Sequence, residues 1–400
     1  MKYIVILCDG MADEPLEELG GRTPLEAAET GNMDRLAADS EIGMVRTVPV
    51  GMAPGSDTAN LSVIGYDPRK YYSGRSPLEA LSIGAEMGEK DVSFRCNLVT
   101  LSEEEDKYED RVILDHSSGE IPTEEAAVLV EALRKGLERE GYTFYAGTSY
   151  RHLLIQKDGK VTELTPPHDI LTKRIGGYLP GDPVLREMMV KSYDILKDHP
   201  VNVQRRAEGK NPANSAWFWG AGTRPALTSF EEKNGVKGAM ISAVDLLKGI
   251  AAGSGMHNII VDGANGGLHT NYSGKAQAAV KALTEDGYDF VYVHIEAPDE
   301  MGHQGSVKDK IKAIEYIDDQ VIGPVAEKLR QSGVDFRMLI LPDHPTPVRV
   351  RTHTSDPVPY LLYDSTEVQE GCSTYCEKTG RESGKMLEEG YRLIEHLLQN

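Results

Sequence analysis

Short runs of apolar residues, each ending at an Asp, Gly or Pro, recur near the start and in the second half of the chain. Continuous apolar runs of this length are typical of strands that are buried on both faces of a mainly parallel sheet. Segments with helical periodicity follow them, which predicts a three-layer α/β core with helices on both sides of the sheet. The predicted strands are Tyr3–Leu7, Asn258–Val261, Phe290–Ile295, Met338–Leu341 and Pro359–Tyr363, and the predicted helices are Ser273–Glu285, Lys308–Gln331 and Glu382–Leu398.

The middle of the chain has a different pattern, because polar and apolar residues alternate in its strands. This alternation is typical of strands with one solvent-facing side, as in antiparallel sheets. We therefore expect a smaller α+β domain, residues 89–211, inserted into a core made of residues 1–88 and 212–400. The predicted strands of the insert are Val92–Thr100, Arg111–Asp115, His152–Gln156 and Val161–Leu164, and its predicted helices are Glu124–Glu140 and Pro183–Lys197.

The composition is that of a globular protein with a sizeable core, since 40% of the 400 residues are hydrophobic and 26% are charged. The formal net charge of −20 disfavours a nucleic-acid or anionic-membrane partner. The first apolar run is too short for a signal peptide, and no stretch approaches the roughly 20 apolar residues that span a bilayer. The cysteines Cys8, Cys96, Cys372 and Cys376 are scattered, as reduced cytosolic thiols are. We therefore expect a cytoplasmic enzyme, either a monomer or a small homo-oligomer.

Acidic and imidazole side chains recur just after the predicted strands of the core. Because the carboxyl ends of parallel strands meet at one edge of a sheet, we expect these side chains to converge there. Mixed oxygen and nitrogen ligands of this kind suit Mn²⁺ or Zn²⁺, and their number suffices for two ions. The sequence therefore predicts a two-metal site. Its candidate ligands are Asp9, Asp299, His303, Asp343, His344 and His353.

A candidate nucleophile, Ser56, lies in the segment P-G-S-D-T-A-N, directly before the helical run Leu61–Gly65. The free N–H groups and the positive end of the dipole at a helix start stabilise an alkoxide and an incoming phosphate. A serine hydroxyl is unreactive until a base or a cation lowers its pKa. Alone, the segment is typical of an ordinary helix cap; beside a two-metal site, it indicates a metal-activated nucleophile.

The order of these motifs, C-D-G, a serine before a helix, D-x-x-x-H, D-H and H-T-x-x-P-V-P, resembles that of the alkaline phosphatase superfamily. Within it, L-C-D-G-M-A-D, G-S-D-T-A-N, E-A-P-D-E-M-G-H and H-T-S-D-P-V-P-Y resemble the archaeal-type cofactor-independent phosphoglycerate mutases. The resemblance covers essentially the whole chain. It implies an alkaline-phosphatase-like core and the interconversion of 3-phosphoglycerate and 2-phosphoglycerate, a small phosphorylated substrate, through a phosphoserine at Ser56.

The resemblance also implies how the ions are held. One ion would be bound by Asp299, His303 and His353, and the other by Asp9, Ser56, Asp343 and His344. Mn²⁺ is the expected ion, and Mg²⁺, Zn²⁺ and Co²⁺ are compatible with the same ligands.

Substrate contacts are implied for both domains, with the insert closing over the substrate as a lid that excludes water. Arginines suit the bidentate binding of a carboxylate or phosphate, and a lysine suits a single charged contact. Asp169 is the candidate acid/base for the second half of the reaction. The candidate contacts are Arg95, Asn97, Arg151, His152 and His168 in the insert, and Arg224 and Lys248 in the core.

One position departs from the expected pattern, because Trp219 stands where the archaeal mutases are expected to have an arginine. Members of a bacterial subgroup that has been proposed to act as homoserine kinases are similar in this stretch. The alternatives to a mutase are therefore a homoserine kinase-like phosphotransferase and a metal-dependent phosphatase. A non-catalytic metal- or metabolite-binding protein is a further alternative, of another class.

Overall fold

The computed structural model describes residues 1–399 of the chain. Its strands are β1 (Lys2–Cys8), β2 (Glu41–Val45), β3 (Val92–Leu101), β4 (Ile113–Asp115), β5 (Tyr142–Tyr145), β6 (Arg151–Gln156), β7 (Ser215–Thr223), β8 (Gly238–Ile241), β9 (His257–Ile259), β10 (Phe290–Ile295), β11 (Phe336–Leu341), β12 (Val358–Asp364) and β13 (Met386–Leu387). Among these residues, no helix combines the length and the hydrophobicity that crossing a bilayer requires.

The α-helices lie between and after these strands. They are α1 (Pro24–Ala27), α2 (Gly31–Ala37), α3 (Ser56–Val63), α4 (Pro68–Tyr71), α5 (Arg75–Ser82), α6 (Thr123–Leu137), α7 (Pro183–Leu196), α8 (Pro200–Ala207), α9 (Phe230–Asn234), α10 (Asp245–Gly253), α11 (Tyr272–Thr284), α12 (Ala297–Gln304), α13 (Val307–Ile317), α14 (Gly323–Ser332), α15 (Glu377–Glu382) and α16 (Leu393–Leu398). A π-helical turn, Asp318–Ile322, joins α13 to α14, and short 3₁₀ turns occur at Glu17–Leu19, Tyr108–Asp110, Pro167–Ile170, Gly176–Tyr178 and Gly390–Arg392.

The chain divides into two compact units, a first unit of Met1–Tyr72 with Leu227–Asn400 and a second unit of Ser73–Ala226. The second unit thus begins before residue 89 and ends after residue 211, the bounds expected for the insert. The reason is that both flanking segments pack against β3. Ser76 of α5 donates its hydroxyl to the carbonyl of Ser93 (2.9 Å), and β7 pairs with β3 along most of its length.

An eight-stranded sheet forms the centre of the first unit, in the order β13-β2-β12-β11-β1-β10-β8-β9. The strands from β11 to β9 in this order are parallel to one another, and β12 runs antiparallel to both β11 and β2. The predicted α/β fold class with a large, mainly parallel sheet is therefore confirmed.

Helices cover both faces of this sheet. Val291 and Val293 of β10 point to one face, where they join a buried cluster with Ala279 of α11. Tyr292 lies between them and points to the other face, where its hydroxyl donates to the Asn60 side chain of α3 (2.6 Å). Successive residues of β10 are all buried, so both faces of the sheet are covered. The result is a three-layer arrangement of helices, sheet and helices.

The second unit contains an antiparallel sheet in which β3 pairs with β4, β6 and β7, and β5 pairs with β6. One face packs against α6 and α7, as Leu129 and Met188 join Phe94 in a single cluster. The other face packs against α5, where Ala80 contacts Leu153 and Ile155. This arrangement is the α+β organisation that the alternating pattern predicts.

Two predicted elements are wrong. Val161–Leu164 is not a strand. The next residue, Thr165, accepts the indole N–H of Trp217 on β7 at its carbonyl (2.9 Å). The contact with the sheet is therefore made by the Trp217 side chain and not by strand pairing. Glu382–Leu398 is not one helix, because β13 and a 3₁₀ turn separate α15 from α16. Gly384 has a positive φ of 68°, which a continuing helix does not allow.

The remaining differences concern interruptions and small residues. The predicted helix Lys308–Gln331 is interrupted by the π-helical turn, and the predicted strand Arg111–Asp115 is shortened to β4. The strands β2, β5, β7, β8 and β13 were not predicted. Three of them contain glycine (E-I-G-M-V, S-A-W-F-W-G-A-G-T and G-A-M-I), which lowers the strand propensity of a short segment.

Candidate active site

Ligand-type side chains from two loops meet at the carboxyl edge of the first unit's sheet. Asp9 directly follows β1, whereas Asp343 and His344 follow β11. Nε2 of His344 lies 3.6 Å from Oδ1 of Asp9 and 3.4 Å from Oδ2 of Asp343. All three side chains are buried, and their ligand atoms lie within 4.8 Å of one another, close enough to share one metal ion.

A second group adjoins the first. Asp299 and His303 lie one turn apart on α12, with His303 Nε2 3.2 Å from Asp299 Oδ2. His353, from the loop after β11, places its Nε2 3.4 Å from Asp299 Oδ1 and 3.0 Å from His303 Nε2. The rings of His344 and His353 have centroids 4.0 Å apart, so His344 lies between the two groups.

Burial and mutual repulsion govern the charge of these carboxylates. Burial raises the pKa of Asp9 well above its usual range, and the nearby carboxylates Asp343 and Asp299 raise it further. Burial opposes ionisation of Asp299 as well, but hydrogen bonds from His303 and His353 prevail and hold the pKa of Asp299 well below its usual range. The same contact with Asp299 raises the pKa of His303 to about 9.

The donor set fits divalent cations. Oδ1 of Asp9 is buried and has no hydrogen-bond partner among residues 1–399. An unpartnered buried carboxylate oxygen is costly, and a cation held by carboxylates and neutral imidazoles removes that cost. Burial lowers the pKa of His344, which favours the neutral imidazole that metals bind. The two groups of possible metal ligands therefore suit divalent metal ions.

Ser56 is the first residue of α3 and faces this site. Its Oγ lies 3.1 Å from Nε2 of His344, and the preceding Gly55 provides no side-chain cap for the helix N-terminus. Asn60, one turn later, donates to the carbonyl of Ser56 (2.8 Å) and to Oδ2 of Asp343 (2.8 Å). One amide therefore fixes the start of the helix relative to a candidate ligand.

The buried His294, near the end of β10, contacts the carboxylate of Asp9. Its Nε2 lies 2.8 Å from Oδ2 of Asp9, and its Nδ1 lies 3.2 Å from the hydroxyl of Ser242. Burial lowers the pKa of His294 to about 3, so the ring is neutral and carries one N–H. Because Ser242 can donate to Nδ1, the N–H on Nε2 is free to donate to Asp9.

A buried ion pair beneath the site joins the two ligand-bearing loops. Nζ of Lys310 in α13 donates to Oδ2 of Asp13 (2.8 Å), to the carbonyl of Thr346 (2.9 Å) and to that of Ala12 (3.3 Å). The hydroxyl of Thr346 in turn donates to Oδ1 of Asp299 (2.5 Å). The three hydrogens of one ammonium group thus fix the loop after Asp9 to the loop after His344.

Within the second unit, several of the predicted substrate contacts lie close together. Arg95 and Asn97 project from β3 on the face that packs against α5, and Arg151 lies opposite Asn97 on β6. The His168 ring lies 5.2 Å from that of Trp219. The adjacent Asp169 is exposed, and His168 Nε2 lies 3.8 Å from its Oδ1.

Three other predicted contacts are not part of this group. His152 pairs with Cys96 and lies on the opposite, buried face of the sheet. Arg224 donates to the carbonyl of Met87 (3.2 Å). Lys248 belongs to the first unit, where it pairs with Asp245 (3.3 Å) and lines a cavity of about 60 Å³ at the ends of β8 and β9.

Comparison with known proteins places the chain in a family. A model described as 2,3-bisphosphoglycerate-independent phosphoglycerate mutase matches residues 37–202. A Geobacter sulfurreducens protein described as a probable 2,3-bisphosphoglycerate-independent phosphoglycerate mutase is 48% identical over 403 residues, and the alignment covers 100% of both chains. The chain belongs to this mutase family. The resemblance seen in the sequence motifs is therefore confirmed.

Solved structures agree with the mutase assignment. A Pyrococcus horikoshii protein is 32% identical, with a TM-score of 0.82 and coverage of 99% of this chain and 96% of that one. The cofactor-independent phosphoglycerate mutase of Thermoplasma acidophilum is 28% identical, with a TM-score of 0.66 and coverage of 100% and 99%. The α/β fold is thus the fold of cofactor-independent mutases.

Sequence reasoning missed several residues of this mutase's candidate site, namely His294, Asn60, Thr346 and Lys310. His294 carried a detectable signal, because a histidine in the apolar run F-V-Y-V-H-I must be buried and needs a polar partner. Asn60, four residues after Ser56, carried a weaker one. Nothing in the pattern distinguishes Lys310 from the solvent-exposed lysines of an amphipathic helix.

Proposed function

We propose that this mutase interconverts 3-phosphoglycerate and 2-phosphoglycerate by passing the phosphoryl group through Ser56. The observation that carries the proposal is the position of the Ser56 hydroxyl, 3.1 Å from His344 at the uncapped start of α3. Free N–H groups at a helix start bind phosphate oxygens. The names of its relatives support the same reaction.

The ligand groups support two ions, with Mn²⁺ as our first choice. Asp299, His303 and His353 would hold one ion. The other would be held by Asp9, Ser56, Asp343 and His344. Bound divalent ions supply positive charge for the phosphoryl oxygens and lower the pKa of a bound hydroxyl. His294 and Asn60 hold the ligands, and the burial of the carboxylates excludes water around them.

The reaction that we propose has two matched steps. The Ser56 hydroxyl gives up its proton and its oxygen attacks phosphorus, the bond from phosphorus to the 3-oxygen of the substrate breaks, and that oxygen takes up a proton as glycerate forms. Glycerate then turns, its 2-hydroxyl gives up a proton and its oxygen attacks phosphorus, and the Ser56 oxygen leaves and takes up a proton again. We propose Asp169 as the acid/base residue, since it is exposed and unconstrained by strong contacts.

Cationic and amide side chains would hold glycerate while it turns. We propose Arg95, Asn97, Arg151 and His168 of the second unit for this role, because they lie together on one face of its sheet. Arg224 and Lys248 are further candidates. His152 lies on the opposite face of the sheet and is therefore not grouped with them.

A homoserine kinase-like reaction remains the second candidate, and Trp219 is the observation that favours it. The deciding experiment is a substrate panel on the purified protein with Mn²⁺. We expect 2-phosphoglycerate from 3-phosphoglycerate without ATP. Phosphorylation of homoserine by ATP in the absence of mutase turnover would replace the proposal with the kinase. Inorganic phosphate released faster than 2-phosphoglycerate forms would replace it with a phosphatase.

We also propose that the enzyme works in the cytoplasm, as a monomer or small homo-oligomer, without a nucleic-acid partner. The net charge of −20 supports the last point. A size measurement in solution tests the oligomeric state, and a gel-shift assay at low salt tests for nucleic-acid binding.

A further inference from the structure

Trp219 lies directly opposite Arg95 across the pair of strands β3 and β7. The register shifts beside it, because Ser93 pairs with Gly222 and Arg95 pairs with Trp219, so that β7 contains one extra residue. Gly220, in the shifted stretch, has a positive φ of 62°. Such a bulge redirects a side chain and is common next to functional sites. Here it places an indole ring beside a guanidinium group.

The guanidinium group of Arg95 is held on two sides. Its Cζ lies 4.4 Å from the centre of the Trp219 ring, and its Nε donates to Oε2 of Glu79 (2.9 Å). The stacking fixes the plane of the group, and the bond from Nε fixes its rotation within that plane. The outer edge, with Nη1 and Nη2, carries two parallel N–H donors that neither of these contacts uses.

Trp219 also fixes the amide of Asn97. The indole Nε1 donates to Oδ1 of Asn97 (2.9 Å), and Nδ2 of Asn97 donates to the carbonyl of His116 (3.1 Å). Since Trp Nε1 is only a donor, the amide cannot flip. Its second Nδ2 hydrogen therefore has a defined direction on the same face of the sheet as Arg95.

We infer that Trp219 is a positioning residue that prepares Arg95 and Asn97 to bind the carboxylate of the substrate. A planar pair of oxygens matches the two parallel donors of a fixed guanidinium edge. An arginine at residue 219 would repel Arg95 and could not donate a single directed N–H in the same way. This inference rests on the proposed function, since it takes phosphoglycerate as the substrate.

The two tryptophans of the chain, Trp217 and Trp219, allow a binding test that does not depend on catalysis. In Trp217→Phe, Trp219 is the only indole, and in Trp219→Phe it is Trp217, which is buried and bonded to the carbonyl of Thr165. We expect D-glycerate to change the fluorescence of Trp217→Phe in a saturable way and to leave that of Trp219→Phe unchanged. A response to inorganic phosphate but not to D-glycerate, or no response, would overturn the inference.

Steady-state kinetics give the second readout. Trp219→Phe should raise KM for 3-phosphoglycerate on the order of fivefold to tenfold, the effect of one lost hydrogen bond, with kcat within about twofold. Trp219→Leu, which also removes the aromatic face, should raise KM further. The control Trp217→Phe should keep the wild-type KM.

These measurements separate the two proposals. An unchanged KM in Trp219→Leu, or an equal rise in Trp217→Phe, would refute the role of Trp219 while wild-type turnover still supports the mutase reaction. Absence of wild-type turnover would instead refute the proposed function, and the D-glycerate titration would still test whether Trp219 reports carboxylate binding.

Discussion

Nε2 of the buried His294 lies 2.8 Å from Oδ2 of Asp9, while the other oxygen of that carboxylate has no hydrogen-bond partner among the described residues. The imidazole therefore fixes the orientation of a carboxylate and leaves one oxygen available for a cation. Second-sphere partners of this kind commonly change metal affinity by factors of 10–100.

His294→Phe should lower the affinity for Mn²⁺ by about 10- to 100-fold, because Asp9 then loses its fixed orientation. Isothermal titration of metal-free protein with Mn²⁺ measures the change. His257→Phe is the matched control, since His257 is exposed on β9. Equal affinities in the two variants would show that His294 only fills space.

Removal of metal should abolish mutase activity, because the buried carboxylates Asp9, Asp299 and Asp343 then repel one another and Ser56 loses its activating charge. Added Mn²⁺ should restore turnover. The measurement is 2-phosphoglycerate formation in protein freed of metal and verified by elemental analysis. Full activity in that protein would exclude a catalytic metal.

Ser56→Ala should leave the fold intact, because the start of α3 has no side-chain cap to lose, and should reduce turnover by many orders of magnitude. Ser62→Ala is the matched control on the same helix, because the Ser62 hydroxyl is buried without a hydrogen-bond partner in the described part of the chain. Its turnover should match that of the wild type.

Quenching the wild-type enzyme during turnover of labelled phosphoglycerate gives the direct test of the nucleophile. The label should reside on the peptide that contains Ser56. Substantial mutase activity in folded Ser56→Ala, or a stable label on another residue, would mean that a different side chain carries the phosphoryl group.

Lys310→Met should destabilise the protein by about 3–5 kcal/mol, because it leaves the buried Asp13 carboxylate without its counterion. Arg349→Met removes the partner of the neighbouring Glu14, in a pair whose side chains are 72% and 41% exposed, and should cost no more than about 1 kcal/mol. Urea unfolding monitored by circular dichroism compares the two. Equal midpoints would assign no structural role to the buried pair.

Activity should need no added 2,3-bisphosphoglycerate and should resist vanadate. The chain has no histidine in the R-H-G surroundings that the bisphosphoglycerate-dependent mutases use. A coupled enolase assay with and without each compound measures both effects. Strict dependence on the bisphosphate would show that the enzyme does not use the cofactor-independent mechanism of its family.

The parallel sheet could be predicted because its strands are long, apolar and separated by helical periods, as in Phe290–Ile295. The predicted helix Glu382–Leu398 failed because periodicity does not reveal that Met386–Leu387 pairs with β2. Such pairing depends on residues more than 300 positions away. The ends of the second unit depend on a long-range pairing as well, since β7 pairs with β3.

The ligand cluster was predictable because each member follows a strand, and parallel strands bring such positions to one edge. Two supporting residues, Lys310 and Thr346, were not predictable, because they act through loop carbonyls and a hydroxyl. The separation of Arg151 from His152 follows from the two-residue period of a strand. Adjacent residues on β6 point to opposite faces of the sheet.

The π-helical turn Asp318–Ile322 constrains the number of residues between α13 and α14. Asp318 uses its two carboxylate oxygens to accept the N–H groups of Asn32 and Met33 (3.0 and 2.7 Å), at a start of α2 that has no side-chain cap of its own. Loss of one residue from the turn would restore a regular helix and rotate α13 by about 100° relative to α14. Lys310 would then turn away from Asp13, so the fold depends on the length of this segment more strictly than on its composition.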